Sequence, residues 1–233
     1  MHKWLNTPLG AELLAAEAAI MRSVTANFLG DNLLVLGDPR FKMAVADSPI
    51  INKFLAHCKG TMRQEPDCYS RYDKLSFESE SMHLIYAAHV LGGLRNPHET
   101  LREMARVLAP EGVIVVAGFN PLSSWGIRKS CTWFKKQNPW EHEFLTQYRV
   151  VDWLKLLGFE ILDLQHLFYR LPINNQVVLD KTKFLEAWKF LPPGVHVVVA
   201  RKHVTPITPV MRASRISKIL AEARDNAGAL AQS

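Results

Sequence analysis

His89 and Asn120 are the polar residues best placed to do chemistry in this 233-residue sequence. His89 directly follows the apolar run Met82 to Ala88, and Asn120 follows the valine-rich run Val113 to Ala117. A histidine there can serve as general base to an acceptor that must lose a proton, or contact a bound ligand, or simply be satisfied within its own loop. Asn120 offers a donor and an acceptor to a substrate, or caps the helix that follows it. Downstream, Trp125 and Arg128 stand with Lys129, Trp133, Phe134, Lys135 and Lys136. That basic, aromatic-rich segment suits an anionic substrate or a membrane surface, or is an amphipathic helix with a solvated basic face. The sequence has no Gly-x-Ser-x-Gly elbow, no Walker-type loop and no His-Glu-x-x-His pair, which removes several hydrolytic and nucleotide-dependent chemistries. Cys58, Cys68 and Cys131 are odd in number and lack metal-ligand spacing, so they read as partly buried thiols.

The elements around these residues follow from local patterns. Met82 to Ala88 is a short apolar run bounded by polar residues, as in a strand buried on both faces. Asn96 caps a helix with Pro97 at its first position and Glu99 three residues on, the arrangement of a capping box. Leu101, Met104, Ala105 and Leu108 form its apolar stripe, and Pro110-Glu111-Gly112 stops it before the strand Val113 to Ala117. Strand, helix and strand within about 35 residues make a βαβ unit of a parallel sheet. Ligands of such sheets bind beyond the carboxyl ends of the strands, here Ala87 to Leu91 and Gly118 to Pro121.

Elsewhere, Thr7 and Pro8 open a helix whose face carries Leu14, Ala18, Met21 and Phe28 and which Gly30 ends. Asn32 to Leu36 is a buried strand followed by Gly37. The segment Ser48 to Cys58 has the local marks of a short helix, yet a strand there is the alternative, and it leaves too little chain for a full crossover helix. Without it, the second strand falls in Thr61 to Tyr69, interrupted by Pro66. Ser123 to Phe134 reads as a helix. Thr146 caps another, which Gly158 terminates, and a third runs from Lys183 to Leu191. Phe159 to Leu167 and Val195 to Arg201 read as strands.

The hydrophobic content of 48% can bury a sizeable core, and the length suits one α/β domain, residues 1–204, with a basic, Pro-containing, partly disordered tail from 205 to 233. The net charge is +6. From Arg201 onward, six basic residues stand against Glu222 and Asp225, so this end contributes +4. An acidic partner, RNA or anionic lipid suits that end, whereas the folded part is near neutral and is not a nucleic-acid platform. With no signal pattern and no apolar stretch long enough for a bilayer, a cytoplasmic bacterial protein without a transmembrane segment is expected.

The stretch Phe77 to Gly126 resembles the second half of the class I S-adenosylmethionine-dependent methyltransferase domain, small-molecule type. The shared pattern is Phe77, a buried strand ending in Ala88-His89-Val90-Leu91, Asn96-Pro97-His98, Leu101-Arg102-Glu103, Arg106-Val107-Leu108, the turn Pro110-Glu111-Gly112 and the strand after it. Gly118-Phe119-Asn120-Pro121-Leu122-Ser123 and Trp125-Gly126-Ile127-Arg128-Lys129 are similar to a small bacterial branch of that superfamily, as are Trp4 to Glu17, Tyr148 to Glu160 and Ala200-Arg201-Lys202. The resemblance implies a Rossmann-like α/β fold, a mostly parallel sheet with helices on both faces and an antiparallel final strand pair. It further implies S-adenosylmethionine as cofactor and methyl transfer to a small or medium-sized acceptor. The cofactor-side positions are Gly37, Asp38, Arg71, Asp73, Ala88 and His89; placement at the strand ends makes His89 and Asn120 the catalytic candidates, the basic, aromatic-rich helix puts Trp125 and Arg128 on the acceptor side, and no metal is indicated. The departures lie in the cofactor half. Leu36-Gly37-Asp38-Pro39-Arg40-Phe41 keeps one glycine of the family's loop, no carboxylate stands at the end of the second strand, and Arg71 occupies the position of the adenine-binding Asp, with Asp73 two residues on. The other reading is therefore a methyltransferase-like binding or scaffold protein that has lost the cofactor.

Overall fold

The computed structural model describes residues 4–26, 28–58, 66–131, 143–169 and 191–203. Its strands are β1 (Asn32–Leu36), β2 (Asn52–His57), β3 (Cys68–Tyr69), β4 (Met82–Ala88), β5 (Leu108–Phe119), β6 (Phe159–Leu167) and β7 (Val195–Lys202). They form one sheet in the order β3-β2-β1-β4-β5-β7-β6. The pairs from β3 through β5 are parallel, and β7 inserts antiparallel between β5 and β6. Helices α1 (Pro8–Thr25), α2 (Phe41–Ala44), α3 (Pro97–Val107), α4 (Ser124–Cys131) and α5 (Gln147–Leu156), with 3-10 turns at Trp4–Asn6 and Leu91–Gly93, complete the described elements. Among the described residues, no helix is long and apolar enough to cross a membrane.

Two apolar layers sandwich the sheet. One joins α1 residues Leu9, Leu13 and Met21 and α2 residue Phe41 to Leu33, Val35, Leu84, Val115 and Val197. The other joins α3 residues Leu101 and Met104 and α5 residues Val150 and Leu154 to Leu34, Leu36, Ile85, Ile114 and Val198. Adjacent strand residues thus point into opposite layers, which is why the central strands read as unbroken apolar runs. The Rossmann-like architecture expected from the sequence is the one observed.

Several local expectations need correction. Of the two readings open for Ser48 to Cys58, the strand is the one observed: β2 pairs in parallel with Asn32 to Leu36. The first crossover is accordingly a single helical turn, α2. Of Thr61 to Tyr69 only Cys68–Tyr69 is a described strand, and 61–65 lie outside the described residues. Helix α1 ends at Thr25, five residues before Gly30. Its buried stripe is Leu13, Glu17, Ile20 and Met21, with Leu14 and Ala18 only partly covered. Asn96 precedes α3 but its amide donates to Glu99 Oε1 (3.3 Å) instead of capping the backbone. Residues 109–112 are an excursion within β5, where the pairing with β4 jumps from Met82↔Leu108 to Leu84↔Val113. Thr146 stands at the N-cap of α5 without a side-chain cap bond. Arg201 and Lys202 belong to β7, Arg201 bonding Glu160 (2.9 Å) and Lys202 Nζ donating to Ala105 O (2.9 Å) and Leu108 O (2.7 Å). Part of the basic end is therefore spent on the fold, and the tail from 204, like residues 183–190 of the helix expected from Lys183 to Leu191 and like Trp133 to Lys136, lies outside the described residues.

The Leu101-Arg102-Glu103 and Arg106-Val107-Leu108 segments have a structural role. Arg106 donates to Leu75 O (3.2 Å) and Phe77 O (3.1 Å), while Glu103 accepts from Leu75 N (3.1 Å). Together they clamp the chain leading into β4. At Gly126 in α4, a β-carbon would lie 1.9 Å from Pro121 O. Gly126→Ala should therefore lower unfolding stability by about 1–3 kcal/mol through overpacking against backbone; an unchanged urea midpoint would contradict this packing.

Candidate active site

The carboxyl ends of β1, β2, β4 and β5 meet at one edge of the sheet. Gly37 follows β1 with φ 135°, a conformation that suits glycine, and a β-carbon there would lie 2.7 Å from Ala88 O at the end of β4. His89, next in sequence, adopts φ 55° and donates its N–H to Ala117 O (3.0 Å). A non-glycine residue in that left-handed region is held there by its surroundings.

The holding groups come from α1. Glu17, 1% exposed, accepts from His89 Nε2 (2.7 Å) and from the Tyr86 hydroxyl. Burial, and next the adjacent Glu17 carboxyl, push the Tyr86 phenol well above its ordinary range, so it stays a donor. The His89 ring packs on Phe119 (4.2 Å between centroids) and Phe41 (5.6 Å). Its Nδ1 is buried with no hydrogen-bond partner. The helix before β1 thus reaches beneath the end of β4 through one carboxylate.

Around Gly37, the positions where the resemblance expects glycines are filled. Arg40 binds Asp38 through Nε–Oδ1 (2.8 Å) and Nη2–Oδ2 (2.9 Å), and reaches Asn6 Oδ1 (2.5 Å). Phe41 is fully buried against Tyr86. At the end of β2, His57 Nδ1 donates to Gly37 O (2.9 Å), and the Tyr72 hydroxyl lies 3.3 Å from the same nitrogen. Burial, then the neighbouring Cys58, raise the Tyr72 phenol above its ordinary value. His57 and Tyr72 therefore stand where the sequence offered no carboxylate.

The remaining candidates are distributed unevenly. Arg71 and Asp73 satisfy each other (Nε–Oδ1 2.9 Å), and the Arg71 side chain is 75% exposed. That bond raises the arginine pKa and lowers that of Asp73. Asn120 binds Pro193 O through its amide (3.0 Å) and accepts from Leu122 N (3.0 Å), so its side chain organises the turn after β5. Trp125, expected on the acceptor side, is fully buried, stacked on Phe119 at 5.7 Å; it is a core residue. Arg128 is exposed on α4. Cys58 and Cys68 are free, half-buried thiols, and the described residues contain no group of side chains fit to hold a metal.

A second histidine was missed. His196 in β7 is 1% exposed, faces Gly118 across the ladder and has no partner at either ring nitrogen. A β-carbon on Gly118 would lie 2.9 Å from its Nε2, so the glycine makes room for the ring. Burial, then His89 and His166, depress its pKa to about 4. The signals available in the sequence were a glycine inside a β-branched strand, and for Glu17 a carboxylate in the apolar stripe of α1.

Residues 42–116 match the family model described as Methyltransferase domain. The uncharacterised protein YafS of Escherichia coli K12 is 37% identical over 134 residues, covering 58% of this chain and 54% of YafS, so the chain spans about half the length of that relative. The methyltransferase in the Haloferax volcanii Trm112 activator complex aligns over 84% of this chain and 92% of its own, with TM-score 0.61 and 16% identity. An S-adenosylmethionine-dependent methyltransferase of Thermotoga maritima gives TM-score 0.56 at 15% identity over 86% and 94% of the two chains.

Because the folded-state pKa of His196 is depressed below the unfolded value near 6.5, the unfolded chain binds the extra proton first as pH falls. Stability should drop between about pH 6.5 and pH 4 by on the order of 3 kcal/mol from this residue. His196→Gln should flatten that part of the pH–stability curve, and an unaltered slope would contradict the burial argument. The strand order and the antiparallel β7 insertion give this chain the fold of these S-adenosylmethionine-dependent methyltransferase structures, and its segment 42–116 matches the methyltransferase-domain model.

Proposed function

We propose that the protein is an S-adenosylmethionine-dependent methyltransferase acting on a small or medium-sized acceptor. The observation that carries this reading is the strand-end junction, where Gly37 at φ 135° meets Ala88 O and His89 is held at φ 55° with a spare buried Nδ1. These features fit the methionine end of the cofactor, which requires close backbone approach and polar atoms at the ends of β1 and β4. Gly37, Asp38, Ala88 and His89 would hold that end, and His57 and Tyr72 would meet the ribose end in place of a carboxylate. Arg71 and Asp73, already paired, would contribute as a unit.

When bound, the cofactor supplies a methyl group on a sulfonium, open to in-line displacement by an acceptor lone pair. Such a reaction needs alignment more than protein nucleophiles, so the chain's task is to position reactants and exclude water. His89, its side chain 1% exposed and bonded to Glu17, acts by fixing the turn at the end of β4. Asn120 does the same for the turn after β5 through Pro193 O and Leu122 N. The altered loop argues for weaker cofactor affinity than a full glycine loop gives, since Asp38 is already engaged by Arg40. Protein partners such as the Trm112 activator of the Haloferax volcanii neighbour belong to this proposal only as candidates for a missing component. The tail beyond β7, with its remaining basic residues, is proposed as open to acidic, RNA or anionic-lipid contact in a cytoplasmic setting.

Titration calorimetry with S-adenosylmethionine and S-adenosylhomocysteine tests the reading. Saturable binding is expected, weakened about tenfold or more in Gly37→Val, whose side chain would collide with Ala88 O. No heat at millimolar ligand would sink the enzyme reading and favour the cofactor-free binding protein.

A further inference from the structure

Beyond β5, at the same sheet edge as Gly37 and His89, lies a cavity of about 360 Å³. It runs between the turn after β5 (Asn120, Leu122), the start of α5 (Thr146, Gln147, Tyr148), the end of β6 (His166) and the residues that follow β6 and precede β7 (Tyr169, Pro192, Pro193). We infer that this cavity binds an uncharged aromatic compound carrying a hydroxyl or carbonyl oxygen; taking that compound as the methyl acceptor rests on the methyltransferase reading.

The lining decides the class. Among its described lining residues there is no Asp, Glu, Lys or Arg, so these walls offer an ammonium no counter-charge and a phosphate or diphosphate no cation. Its size lies in the range of small-molecule sites. Two rings, Tyr148 and Tyr169, and the proline pair give flat apolar walls against which an aromatic ring packs. Leu122 and Tyr148, 69% and 73% exposed, extend that apolar surface at the rim, more than a solvated face needs.

The polar groups split into spent and unspent ones. Asn120 is committed to Pro193 O and Leu122 N, which locks two walls together. His166 Nε2 donates to Gln147 Oε1, which leaves the Gln147 amide N–H groups as donors. Thr146 occupies the N-cap of α5 without capping it, so its hydroxyl is available as well. A ligand oxygen that accepts hydrogen bonds satisfies these donors, and the uncharged described walls disfavour charge elsewhere on the molecule.

Calorimetry on the full chain without cofactor, using 2-naphthol, 2-naphthoate and 2-naphthylmethylammonium at neutral pH, tests the assignment. The expected result is that 2-naphthol binds at least about tenfold tighter than either ion, and that Tyr148→Ala weakens it about tenfold. Leu122→Arg, at an exposed rim position that leaves the fold intact, should shift preference toward 2-naphthoate. Equal affinity for an ion, no binding of 2-naphthol, or affinities unchanged in both variants would overturn the inference. A chain that takes 2-naphthol but not S-adenosylhomocysteine keeps this pocket and loses the methyltransferase reading; the converse loses only the pocket.

Discussion

The carboxylate of Glu17 is the constraint on which the site depends. A buried carboxylate is costly unless its lone pairs are met, and here Tyr86 and His89 meet them with two bonds from β4 and the turn after it. Removing either partner would leave a buried polar atom unsatisfied, so α1, β4 and the left-handed turn at His89 stand or fall together. That turn in turn positions Ala88 O against Gly37, and the two strand ends approach as closely as they do because neither a side chain at residue 37 nor a relaxed His89 intervenes.

The same edge combines a frame common to the fold with contacts of this chain's own. The frame is generic: parallel strands buried on both faces, helices on each side and an antiparallel β7 between β5 and β6. The contacts are particular to this chain. An ion pair of Asp38 with Arg40, a His57–Tyr72 pair at the end of β2 and an Arg71–Asp73 pair occupy positions where the resemblance places glycines and acids. Each is internally satisfied, which stabilises the apo arrangement and sets a cost that any cofactor must offset. Under the proposed function, lowered cofactor affinity is the physical consequence.

Much of the fold was legible because it is written locally. Asn32 to Leu36 and Met82 to Ala88 are continuous apolar runs with polar borders, and the structure returns both strands with the same ends. Segment Ser48 to Cys58 was not legible, because Ser48-Pro49 and the spacing of Phe54, Leu55 and Cys58 satisfy a helix equally well. Its partner, β1, decides the matter through a ladder that no local pattern contains. Glu17 was missed for a related reason. Charged residues on helices ordinarily face water, and its partners lie 69 and 72 residues away. His196 was hidden in a β-branched strand, and only its ladder partner Gly118 explains the space it fills. Trp125 was misread because an aromatic beside basic residues looks like a ligand platform, while its neighbours Trp4, Phe119 and Phe168 make it core.

The most direct test is a crystal structure of the chain grown with S-adenosylhomocysteine. Density for the ligand between Gly37, the His57–Tyr72 pair and the Ala88–His89 turn, with the Glu17–His89 bond intact, is the predicted result. A well-ordered structure from saturating ligand in which that junction is closed and the ligand is absent or bound elsewhere would contradict the account.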